Sequence, residues 1–96
     1  MYHDLNKVLN KALSVSKRDS IDISTAFFKL GEEFGELSEE FFKKFTFKGE
    51  MEDLQEETVD VMLCCIQILQ KSGMSVERAL EVAEKKIEKW EKNLER

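Results

Sequence analysis

The sequence predicts an all-α protein, an antiparallel four-helix bundle that oligomerises through its helices. Three observations carry that expectation. The chain has no proline and only four glycines, at positions 31, 35, 49 and 73, so residues that break helices are scarce. No run alternates apolar and polar residues over a useful strand length, whereas apolar residues recur at three- and four-residue steps along most of the chain. Ninety-six residues make one small domain rather than two. Helices of about 20 residues are roughly 30 Å long, and short turns between them give an elongated bundle spanning residues 1–96.

The first helix is expected from about Tyr2 to Lys17, with Leu5, Val8, Leu9, Ala12 and Leu13 on one stripe, and the polar stretch Ser16 to Ser20 closes it as a loop. A second runs from about Ser24 to Lys44, where Phe27, Leu30, Phe34, Leu37 and Phe41 repeat as a single buried face. Gly31 and Gly35 lie inside it, each costing about 1 kcal/mol relative to alanine, so they either admit another backbone or weaken the helix. Phe45 to Gly49 form a short connection. The third helix extends from about Glu50 to Ser72, and Gly73 is placed to take the left-handed conformation just past its end. Ser75 caps the fourth, whose apolar face comprises Val76, Ala79, Leu80, Ala83, Ile87, Trp90 and Leu94.

From Val59 to Leu69 every residue except Asp60 and Gln67 is apolar. A helix apolar nearly all round must be covered on all sides, and three neighbours in one small chain fall short of that. A partner subunit is therefore expected, in a homodimer or homotetramer.

Net charge is −5, which argues against a nucleic-acid binder that relies on a basic face. The longest uncharged stretch, Val61 to Gln70, is half of a membrane span, and the first residues carry charge with no apolar leader, which points to a cytoplasmic protein. Cys64 and Cys65 are adjacent, with neither disulfide nor zinc spacing, and are expected as buried thiols. Between Glu32 and Asp60, eleven acids face three lysines, a local charge of −8. Such a segment can be simply a solvated helix face.

The spacing within it suggests more. Glu33 and Glu36 are three apart in the second helix, as are Glu57 and Asp60 in the third, so each pair projects from one side of its helix. An antiparallel hairpin sets the pairs opposite each other at the edge of the apolar seam. Like charges held there are unfavourable unless protons or cations neutralise them. All-oxygen carboxylate ligands suit Mg²⁺ or Mn²⁺. The bland alternative is that Lys29, Lys44 or a C-terminal lysine pairs with these acids in ordinary salt bridges.

Leu30-Gly-Glu-Glu-Phe-Gly-Glu-Leu37 followed by Leu54-Gln-Glu-Glu-Thr-Val-Asp-Val61 resembles the paired E-x-x-E and E-x-x-D motifs of the MazG-like, all-α nucleoside triphosphate pyrophosphohydrolases. The likeness covers nearly the whole chain. It implies Mg²⁺ held by the matching Glu33, Glu36, Glu57 and Asp60, and hydrolysis of a nucleoside triphosphate between its α and β phosphates. Lys89 and Asn93 are similar to the family's C-terminal lysine and asparagine that contact triphosphate; Lys48, in the turn, is a further candidate contact. No Gly-rich phosphate loop is present. Lys29-Leu-Gly-Glu-Glu33 also resembles a stretch of phosphoribosyl-ATP pyrophosphatase, but Met62, Leu63 and Cys64 stand where that enzyme has a tyrosine and a histidine. A metal-free helical interaction module with solvated acids is the alternative of a different class.

Overall fold

A computed structural model of the chain describes residues 4–46 and 50–94. Within them the protein is all-α and bundle-like: α1 spans Leu5–Arg18, α2 Ile23–Thr46, α3 Met51–Lys71 and α4 Val76–Leu94. Lys48 lies outside the described residues.

The helix ends differ from the sequence reading by one to three residues, each for a local reason. The Asp4 carboxylate accepts the Asn6 N–H at 2.8 Å and caps α1 at Leu5; the expected start at Tyr2 lies outside the described residues. Asp22 accepts the Thr25 N–H at 2.8 Å and starts α2 one residue before Ser24. That bond, first among its causes, lowers the Asp22 pKa. Ser75 accepts the Arg78 N–H at 3.2 Å, the expected cap of α4. At the end of α3, Gly73 has φ 89°, and the Met74 N–H reaches the Leu69 carbonyl at 3.0 Å while the Gly73 N–H reaches Gln70. This paired closure needs the left-handed residue that glycine supplies.

The packed pairs are α2 with α3 and α1 with α3. Only four residues of sequence separate α2 from α3, and the two lie antiparallel; α1 runs parallel to α3, its Ser16 end beside Gln70 and its Lys7 end level with Asp60. Polar groups fasten the C-terminal ends of α1 and α3. Ser16 Oγ donates to Gln70 Oε1 at 3.0 Å, Gln67 Nε2 to Asp19 Oδ2 at 3.2 Å, and Lys71 Nζ to the carbonyls of Ser16 and Asp19. Lys71 thereby neutralises the carbonyl end of α1, where a cation is favoured. Asp19 is held below the usual carboxylate range, chiefly by the Ile21 N–H and then by Gln67.

The expected apolar faces are only partly covered within one chain. Leu30 and Leu37 are half-buried against α3, but Phe27, Phe34 and Phe41 of the same stripe are 57–65% exposed. On α4, Val76, Ala79 and Leu80 are half-buried, whereas Ile87, Trp90 and Leu94 are exposed; Trp90, placed in the core by its phase, is 66% exposed. Cys64 is half-buried and Cys65 is exposed, not buried. The reason is geometric. No packed pairing runs along α4 among the described residues, and on α2 the half-buried Leu30, Glu33 and Leu37 share one side while the phenylalanines are exposed on the other.

Among the described residues, only Ala26 and Ser16 are buried. The chain exposes 7884 Å², against about 5,700 Å² for a compact monomer of this mass. Its radius of gyration is 15.7 Å, against about 12.5 Å for a compact chain of this length. No helix is long and apolar enough to cross a membrane, among the described residues.

Candidate functional site

The antiparallel pairing of α2 and α3 brings together three of the four acids singled out by spacing. One carboxylate oxygen each from Glu33, Glu36 and Glu57 lies within 4.8 Å of the others. Glu33 and Glu57 are half-buried at the helix seam and Glu36 is on its exposed edge. Glu33 Oε2 and Glu57 Oε2 are both buried and have no hydrogen-bond partner. Buried carboxylate oxygens without donors are unusual, because the desolvation they suffer is not offset.

The charges respond to this crowding. Loss of hydration, then the charge of Glu36, a hydrogen bond with Glu33 and the charges of Asp60 and Glu33, push the Glu57 carboxyl up to about 7. Glu36 is raised as well, first by the charge of Glu33. The lysine-paired alternative does not describe these acids. Among the described residues the ion pairs are Lys43 with Glu40 and Arg78 with Glu81, both at 3.4 Å, and neither involves the cluster.

No family model, curated protein or solved structure matches the chain. The functional reading therefore rests on the residues and their geometry.

Asp60 stands at the margin of the trio. It is exposed and lies outside the 4.8 Å group, yet its charge acts on both Glu36 and Glu57. Lys89 and Asn93 sit among exposed residues of α4, and no packed pairing brings that part of the helix onto α2 or α3.

Beside the carboxylates, α1, α2 and α3 line an open cavity of about 700 Å³. Glu33 and Asp60 close one side, Val8, Val15 and Leu63 give it apolar walls, and Lys7, Lys11 and Lys29 also line it. Cys64 contributes a thiol whose pKa is raised, first by burial and then by the charge of Glu33. Sequence reasoning missed Lys7 and Lys11. Their i, i+4 spacing on the first helix was the available signal, but nothing in the sequence says that this helix lies across the acids.

Proposed function

We propose that the protein is a Mg²⁺-dependent nucleoside triphosphate pyrophosphohydrolase of the cytoplasm, acting as a homodimer or homotetramer and releasing a nucleoside monophosphate and pyrophosphate. The observation that carries this reading is the convergence of Glu33, Glu36 and Glu57 with two buried, donorless oxygens. Three carboxylates without basic partners fit a hard divalent cation that takes oxygen ligands and shares its shell with phosphates. Bound there, Mg²⁺ would supply positive charge to triphosphate oxygens that the acids alone would repel.

The chain's own residues account for the remaining requirements. Glu33 and Glu57 project from two different helices, so the site is held by the packing of α2 on α3 rather than by a loop. Glu57, whose carboxyl is raised to about 7 without the cation, must ionise to hold it, so in this reading Glu57 is a ligand whose metal uptake is coupled to proton release. Asp60, next to the trio and facing the cavity with Glu33, is the fourth ligand in this reading. Apolar walls suit a nucleoside, while Lys7, Lys11 and Lys29 offer cations to its phosphates. Lys89, Asn93 and Lys48 are the further proposed substrate contacts; Lys89 and Asn93 require α4 to approach the site, within a chain or between chains.

The test is pyrophosphate release across common and damaged nucleoside triphosphates, with and without Mg²⁺. Activity should require the cation, and Glu57→Gln or Asp60→Asn should lower it by about 100-fold or more. Unchanged activity in both variants would sink the assignment. A metal-free helical interaction module is the second reading, favoured by the exposed phenylalanines of α2. Calorimetry separates them: the module takes up no Mg²⁺.

A further inference from the structure

The outward side of α2 has a pattern that neither the acids nor the cavity uses. Leu30, Glu33 and Leu37 are half-buried on the side facing α3. On the other side, Phe27, Phe28, Phe34, Phe41 and Phe42 are 56–72% exposed, with Gly31, Gly35 and Ser38 between them. At 100° per residue these eight positions fall within an arc of about 140°. A Cβ built on Gly31 or Gly35 would meet nothing within 4 Å, so both are open dents in the aromatic surface. The Ser38 hydroxyl donates to the Phe34 carbonyl at 3.0 Å and leaves a small surface with its polar group already used.

The order of sizes along this face is nearly palindromic. Reversing the helix about the midpoint between Phe34 and Gly35 places Phe27 opposite Phe42, Phe28 opposite Phe41, Gly31 opposite Ser38, and Phe34 opposite Gly35. Large rings meet large rings at the ends, small residues meet at the dents, and the central ring meets a dent. In a two-fold pair each of these contacts is made twice with the roles exchanged, so the whole face is self-complementary in this register.

We propose that two copies of the chain pair antiparallel through this face of α2, with Phe34 of each copy seated over Gly35 of the other. The area is sufficient. At about 200 Å² per ring, five phenylalanines exposed by 56–72% present about 600 Å² of aromatic surface, close to the roughly 800 Å² that each partner of a stable interface buries. The chain's surface excess of about 2,200 Å² over a compact monomer leaves room for flanking contacts as well. Glu33 and Glu36 lie outside the arc, so the pairing leaves the carboxylate cluster open and does not depend on the enzymatic reading.

Sedimentation equilibrium of the full chain should show a dimer. Gly35→Leu, which fills the dent, and Phe34→Glu, which charges the ring position, should each weaken it at least tenfold, while Trp90→Ser on α4 should leave it intact. A monomeric wild-type chain overturns the proposal, as does a dimer that survives both α2 variants and therefore uses another face. Direction is read separately, in a chain that keeps the whole face native. Spin labels at Thr25→Cys, with Cys64→Ser and Cys65→Ser, should lie about 30 Å apart across an antiparallel pair. A separation near 10 Å, or no dipolar coupling, overturns it.

Discussion

Binding of a divalent cation should expel a measurable fraction of a proton from Glu57. The carboxyl titrates at about 7 in the folded chain, pushed there by lost hydration and by its acidic neighbours. At pH 7 it is therefore about half protonated, at pH 6 about 90%, and at pH 8.5 only about 3%. A cation needs the ionised form, so saturating Mg²⁺ at pH 7 should release about half a proton per chain, rising towards one at pH 6 and vanishing by pH 8.5. Titration calorimetry in two buffers of different ionisation enthalpy reads this number directly. Release that is absent at pH 7, or equal in Glu57→Gln, would refute the assignment of the proton to this site. Stability without divalent cations follows in sign. The folded pKa lies above the ordinary 4.5, so the native state holds the proton more tightly than the unfolded chain. Its stabilisation is complete below about pH 4.5 and lost as pH rises to about 7, and Glu57→Gln should flatten that decline in Tm.

Three further outcomes test the packing. Lys71→Met removes the ammonium that serves two carbonyls at the end of α1, and should cost about 1.5–3 kcal/mol in urea unfolding. Gly73→Ala places a Cβ on a residue with φ 89° and should cost about 1 kcal/mol, lowering Tm by a few degrees. Ala26→Leu inserts three heavy atoms at a fully buried position and should destabilise by about 1–3 kcal/mol in the same assay.

The helices were legible because their signals are local. Caps such as Ser75, the left-handed Gly73 and the three-and-four apolar steps act within one or two turns. The acidic trio was legible because only four residues of sequence separate two long helices, which leaves α2 and α3 little choice but to set position 33 near position 57. Which side of each helix would be covered was not legible. Phe34 and Leu37 belong to one apolar stripe, yet only Leu37 turns far enough towards α3 to be half-buried. Trp90 has the phase of a core residue, but phase says nothing about whether a neighbour arrives. The cavity was hidden for a related reason, since it exists only where three helices meet and α1 carries no motif of its own.

The scarcity of fully enclosed side chains bears on how the protein reaches its native form. Removing apolar groups from water is the main force that opposes the entropy of an unfolded chain. A lone molecule that buries just Ala26 and Ser16 among the described residues has little of that force in reserve. In the proposed pair, helical hairpin formation and the encounter with a second molecule would belong to one cooperative event, and dilution would then act much as a denaturant does.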